Sequence, residues 1–106
     1  MRNDPETSRE AYQSLDEDHL RISQQAVLTL MTRWGAAGMM DHDMIREYAQ
    51  SHLRNPKMFP YQSESGLRTR RKELVEKGLV TDSGRRGVTR SGRKSIHWVI
   101  TEMAGV

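Results

Sequence analysis

The fold is set by residues 65–80, which read SGLRTRRKELVEKGLV. Leu67 and Leu74 lie two helical turns apart, so their side chains face the same side of a helix. Gly78 predicts the end of this helix, because glycine readily adopts the left-handed backbone conformation that follows many helix ends. The two apolar residues after Gly78 begin a strand. The stretch therefore predicts a helix that passes directly into a β-element.

Two segments upstream of this stretch also have apolar residues at helical spacing. Ser23 is the expected N-cap of the first helix and Gly35 its expected end, and Asp41 is the expected N-cap of the second. A very short strand is predicted between them at residues 39–40. The core-facing side chains are predicted to be Ala26, Val27, Leu30, Met31 and Trp34 in the first helix, and Met44, Ile45, Tyr48, Ala49 and Leu53 in the second.

Residues 54–63 contain two prolines and are predicted to form a loop. Ser63 or Ser65 is expected to start the helix that follows. The large side chains of this loop belong to Met58, Phe59 and Tyr61. We expect them to fold back on the core, although a small partner-binding knob is the alternative.

Downstream of the helix, the sequence has the pattern of a β-hairpin. Ser91 and Gly92 are the expected turn. In the returning strand, Ile96, Trp98 and Ile100 alternate onto a core-facing side, and His97, Val99 and Thr101 onto the other.

At the N-terminus, Asp4 and Pro5 suit the start of a short helix that reaches Leu15. Its weak apolar stripe consists of Ala11, Tyr12 and Leu15. The predicted organisation is a short helix and connector over residues 1–22, a domain over residues 23–101, and a frayed tail over residues 102–106. The fold class is mainly α with a small β-hairpin (α+β). It corresponds to a winged helix-turn-helix with a three-helix core, a wing and an extra N-terminal helix.

Composition and charge narrow the possible functions. A length of 106 residues allows one compact domain. The chain contains no cysteine, and neither a signal peptide nor a membrane span is evident, so we expect a cytoplasmic protein. Five basic and nine acidic residues give residues 1–53 a net charge of −4, whereas twelve basic and five acidic residues give residues 54–106 a charge of +7. This asymmetry indicates a polyanionic partner.

Two basic elements carry the functional prediction. In the helix over residues 64–77, the outer face is expected to present Ser65, Arg68, Thr69 and Lys72, with Arg71 favoured over Arg70 as a further contact. One of these two arginines is expected to be structural, paired with Glu73, Asp82 or an acid of the N-terminal half. The hairpin over residues 82–95 is expected to present Arg85, Arg86, Arg90, Arg93 and Lys94.

These residue types suit double-stranded DNA. Arginine forms a bidentate pair with guanine, and lysine and serine reach base edges or phosphates, so the helix is expected to enter the major groove. The basic hairpin is expected to lie along the backbone or in the minor groove. An ordinary solvated surface is the alternative for both elements.

Catalytic and cofactor motifs are not evident. Asp41, His42 and Asp43 are adjacent but lack a second ligand cluster, and Asp41 is better explained as a helix cap. Neither a glycine-rich phosphate loop nor a nucleophile elbow occurs. We therefore expect a protein without a cofactor or metal that is not an enzyme.

The segment LVEKGLV, residues 74–80, resembles the junction between recognition helix and wing in winged-helix regulators, including those of the MarR type. The longer string SGLRTRRKELVEKGLVTDSGRR, followed by TRSGRKSIHW, is similar to small winged-helix proteins encoded by actinobacterial phages and prophages, as is the opening DPETSREAY. This resemblance extends over residues 4–101. It implies a winged-helix DNA-binding protein that acts in a bacterium or an infected host cell. We expect this protein to bind double-stranded DNA sequence-specifically as a transcriptional regulator.

Two other functions remain open at this stage. A winged helix also serves as a protein-interaction adaptor, with the acidic N-terminal half and the Phe59 loop as its contact surface. Alternatively, the protein is an accessory factor in DNA architecture, replication or excision that bends DNA with weak sequence preference. The sequence leaves open whether the chain forms a homodimer, which DNA sequence it binds and whether it activates or represses.

Overall fold

The computed structural model describes residues 20–104, which form three α-helices followed by an antiparallel β-hairpin. The helices are α1 (Ile22–Trp34), α2 (Asp41–Arg54) and α3 (Glu64–Glu76), and the strands are β1 (Val80–Val88) and β2 (Lys94–Ile100). The α+β class and the predicted order of these elements are confirmed. The predicted N-terminal helix lies outside the described residues, as do all of residues 1–19 and 105–106.

The start of α3 is as predicted, whereas the other two helices are capped differently. Ser63 is the N-cap of α3, and its Oγ accepts a hydrogen bond from the Gly66 amide at 3.0 Å. Helix α1 begins one residue before Ser23. In α2, the carboxylate that accepts from the Met40 amide, at 3.3 Å, belongs to Asp43 and not to the predicted Asp41. Asp41 is therefore available for another partner.

The hairpin turns where the sequence predicts. The Gly92 amide donates to the Thr89 carbonyl at 2.9 Å, and Gly92 has a φ of 87°. Strand β1 pairs with β2 at both of its ends, but the register shifts between Asp82 and Arg86, where three residues of β1 lie opposite one residue of β2.

The predicted short strand is reduced to one residue. Met39 forms an isolated bridge with Trp98, and each amide donates to the other carbonyl at 2.9 Å. Gly38, just before it, has a φ of 76°, and a Cβ there would lie 3.0 Å from the Trp98 oxygen. Glycine thus allows the α1–α2 loop to pair closely with β2.

The core lies where the three helices meet the base of the hairpin. Phe59 is buried as predicted, with its ring edge-on to that of Tyr48 at 5.6 Å. The Tyr48 hydroxyl donates to the Pro60 carbonyl at 2.6 Å. The remaining core members are Ala26, Val27, Leu30, Met31, Met39, Met44, Leu67, Leu74, Val80 and Ile100.

Six side chains differ from the prediction. Trp34 and Ala49, which are expected to face the core, are exposed. Met58 and Tyr61 are exposed instead of folding back on the core.

Leu53 is 80% exposed, because the buried stripe of α2 runs through Met44 and Tyr48, and Leu53 lies roughly 140° round the helix from Tyr48. Val99, predicted on the outer side of β2, is buried.

The first residues after β2 include the start of the predicted tail. Thr101–Met103 form a short 3-10 helix, and the Thr101 hydroxyl donates to the Gly78 carbonyl at 2.7 Å. Met103 packs against the core. Within residues 20–104, every helix is too short or too polar to cross a lipid bilayer.

Candidate nucleic-acid interface

Helix α3 is fixed on one flank by Arg71. The Arg71 guanidinium donates to both carboxylate oxygens of Asp41, at 2.9 and 2.6 Å, and lies over the Trp98 ring, 4.3 Å from its centroid. The side chains of Arg71 and Asp41 are only 17% and 21% exposed, so water screens the pair weakly. This contact ties α3 to the first residue of α2 and to β2.

Glu73 fixes the other flank. Its carboxylate accepts from Arg70 at 2.8 and 3.1 Å, from the buried Gln24 at 2.8 Å and from Arg21 at 3.4 Å. Burial raises the pKa of Glu73, but the hydrogen bonds from Gln24 and Arg70 and the charges of both arginines outweigh it, so the pKa lies below its usual value. This network attaches α3 to the start of α1.

The remaining face of α3 is open to solvent. Ser65, Arg68, Thr69 and Lys72 are all exposed, as the sequence predicts. The Thr69 hydroxyl donates to the Ser65 carbonyl at 2.9 Å. Neither Arg68 nor Lys72 has a carboxylate partner among residues 20–104, so both charges on this face are uncompensated.

The sequence favours Arg71 over Arg70 as a further DNA contact, but the Arg71 side chain is only 17% exposed and lies on the flank of α3. Its pairing with Asp41 fits the second expectation, that an arginine of this helix is structural and bound to an acid of the N-terminal half. Arg70 is also paired, with Glu73. We therefore leave Arg71 out of the proposed DNA contacts.

The hairpin carries four exposed basic side chains with no carboxylate partner in the described part of the chain: Arg85, Arg90, Arg93 and Lys94. Arg86 is exposed too, but it donates to both carboxylate oxygens of Asp82, at 2.9 and 3.0 Å. The hydrogen bonds from Arg86 and from the Gly84 amide hold the pKa of Asp82 below its usual value. Arg86 thus offsets an acid within the hairpin.

One hairpin glycine serves the protein's own packing. A Cβ at Gly87 would lie 2.6 Å from both His97 Nε2 and Met40 Sδ. Glycine at this position lets the backbone of β1 approach these two side chains. The α1–α2 loop and β2 therefore meet above Gly87.

Sequence reasoning missed two residues of this interface. The sequence predicts a helix cap at Asp41 and a core position for Trp98, and it identifies neither as a partner of Arg71. Helical geometry does place Arg71 partly on the inner side of α3, which is the available signal that it needs a buried partner. The identity of that partner depends on the tertiary arrangement. Among residues 20–104, no group of three or more histidine, cysteine, aspartate or glutamate side chains is placed to hold a metal ion.

No protein-family model, no curated protein and no solved structure matches this chain.

Proposed function

We propose that the protein is a winged helix-turn-helix that binds double-stranded DNA in a sequence-specific manner, with α3 as the recognition helix and the β1–β2 hairpin as the wing. Three helices, a one-residue bridge beside β2 and a C-terminal hairpin are the arrangement that such a domain requires. The basic half of the sequence supplies both elements.

The distribution of paired and unpaired cations is the observation that carries this proposal. Arg70, Arg71 and Arg86 bind carboxylates. Six other cations of α3 and the hairpin are exposed and lack such partners within residues 20–104: Arg68, Lys72, Arg85, Arg90, Arg93 and Lys94. Solubility alone does not require positive charges to be concentrated on one surface without carboxylate partners among the described residues. A polyanionic partner does explain this arrangement.

Helix α3 has the dimensions for the major groove. Its 13 residues make a rod about 20 Å long and 10–12 Å across, and the groove is about 12 Å wide. Arg68 is suited to guanine, because its guanidinium can donate to O6 and N7 together. Ser65, Thr69 and Lys72 then reach neighbouring bases or phosphates. The flanking contacts of Arg71 and Glu73 hold this face in place.

The hairpin would supply the contacts outside the major groove. Arg90, Arg93 and Lys94 surround its turn, where they can lie along phosphates or enter a narrow minor groove. These contacts carry little sequence information and raise affinity for any duplex.

We propose a transcriptional regulator of the phage type as the biological role. The adaptor alternative loses Phe59 as a contact, because Phe59 is buried against Tyr48, whereas Met58 and Tyr61 of the same loop are exposed. An accessory protein that bends DNA would use the same basic residues, and sequence preference distinguishes it from a regulator.

Selection of binding sites from random duplex DNA at two salt concentrations tests the proposal. A specific reader enriches one sequence at both concentrations. An architectural protein retains DNA at low salt without enriching a sequence. If no duplex is retained at low salt, the protein does not bind DNA and the proposal is wrong.

A further inference from the structure

An apolar cleft lies between α2 and the start of α3, and the proposed DNA contacts do not use it. Its volume is about 350 Å³. One wall is a stripe of α2 formed by Ile45, Ala49 and Leu53, spaced four residues apart and therefore on one side of the helix. Tyr61 and Leu67 contribute to the rest of the lining.

Large apolar side chains at the rim of this cleft are exposed to solvent. Leu53 is 80% exposed and Tyr61 is 75% exposed. Clustered large apolar side chains at a concave site indicate that something binds there.

The described chain begins beside the cleft. The side-chain amide of Gln62, a lining residue, donates to the Ser23 carbonyl at 3.1 Å, so the start of α1 adjoins this wall. Leu20, three residues earlier, packs against the core. Nineteen residues precede Leu20. The last four of them, residues 16–19, span at most about 14 Å when extended, which is enough to place the preceding segment at the cleft.

The preceding segment has a matching apolar face. If residues 5–15 are helical, as the sequence predicts, Ala11, Tyr12 and Leu15 share one side. An aromatic and a branched aliphatic side chain fit a cleft with aliphatic and aromatic walls. The other side of that segment is charged, with Glu6, Arg9 and Glu10, and would remain in water.

We infer that residues 4–15 bind in this cleft of their own chain, with Tyr12 and Leu15 against the α2 stripe. A short tether holds the segment at an effective concentration in the millimolar range, which favours it over a segment from a second copy. This docking is independent of DNA binding, so either can fail alone.

Engineered cysteines test the inference cleanly, since the chain has none of its own. Ala11→Cys with Ala49→Cys places one thiol on each proposed face in the full-length protein, and both substitutions are small. Under mild oxidation of a dilute sample, we expect an intramolecular disulfide, identified on a non-reducing gel and by the mass of the linked peptide.

The controls keep the tether and change only the docking face. Gln13→Cys with Ala49→Cys moves the thiol to the opposite side of the helix, and we expect oxidation to be about tenfold slower. Adding Tyr12→Ser and Leu15→Ser to the Ala11 pair should lower its rate to the same level. Equal rates for the two pairs would overturn the inference. So would a predominantly intermolecular product, which would show that a second copy occupies the cleft.

Discussion

The Arg71 side chain is held by contacts with both a carboxylate and an aromatic ring. Its planar guanidinium makes two parallel hydrogen bonds to Asp41 and stacks on Trp98, a combination that lysine cannot reproduce. Because both charged groups are largely shielded from water, removal of either partner leaves the other poorly solvated. Arg71 thus holds α3 in position.

Asp41→Asn should destabilise the protein by about 2 kcal/mol, since it leaves the Arg71 charge without its carboxylate. Urea denaturation measures this loss. Asp82→Asn is the matched control, because it removes the carboxylate from an arginine pair that is exposed to water, and we expect a clearly smaller effect. Equal losses in the two variants would contradict the structural role of Arg71.

Arg68 and Arg93 should contribute differently to DNA binding. Arg68→Ala should cost roughly 1–3 kcal/mol on the preferred duplex and relax specificity at one position, because a base contact is lost. Arg93→Ala should weaken all duplexes about equally. Fluorescence anisotropy on matched and mismatched duplexes separates the two. Lys57→Ala removes an exposed charge from the α2–α3 loop and controls for net charge. The Arg68 assignment fails if that variant binds every duplex as the parent does.

The network around Glu73 makes stability depend on pH. The pKa of Glu73 is lower in the folded state than its ordinary value, so its ionised form stabilises the fold. That contribution is fully present above the ordinary glutamate pKa, about 4.3, and is lost as pH falls through the lowered folded value. Unfolding free energies measured from pH 6 down to pH 3 should therefore decline less steeply in Glu73→Gln than in the parent protein. Parallel curves would exclude Glu73 as a source of the acid sensitivity.

At the scale of secondary structure, the sequence predicts local features well. The Ser63 cap, the left-handed glycine after α3 and the turn at Gly92 each depend on a few neighbouring residues, and all three are confirmed. Leu53 shows the limit, since its apolar side chain matches the helical period but lies outside the buried stripe. Periodicity identifies a helix, and the width of its buried stripe depends on what packs against it.

The hairpin depends on a close contact that the sequence does not reveal. Gly87→Ala would place a methyl group against His97 and Met40, and repacking of these side chains should cost roughly 1–3 kcal/mol. Thermal unfolding followed by circular dichroism measures the change. Val88→Ala, at the neighbouring exposed position, should alter stability less. A Gly87→Ala variant as stable as the parent would show that the contact is not tight.

At the scale of the whole molecule, the charge asymmetry of the sequence is an accurate guide to the basic elements but not to which charges are free. Acids from α2 and α3 neutralise Arg70 and Arg71, and an acid of the hairpin neutralises Arg86. The Arg71–Asp41 pair joins residues 30 positions apart and therefore depends on the assembled fold. The other two pairs are local, because the partners of Arg70 and Arg86 lie three and four positions away. Of the ten predicted site residues, Arg71 and Arg86 bind carboxylates. The other eight are exposed and have no carboxylate partner within residues 20–104.

The central claim is that the six exposed cations of α3 and the hairpin without carboxylate partners in residues 20–104 contact DNA together. The most direct test is the salt dependence of affinity for a selected duplex. Log affinity should fall with log salt at a slope of about −4.5 if the five cations other than Arg68, which we assign to a base, meet phosphates. Replacing Arg90, Arg93 and Lys94 together by alanine should reduce the magnitude of this slope by about 3. A slope near zero in the parent protein, or the same slope in the triple variant, would contradict the account.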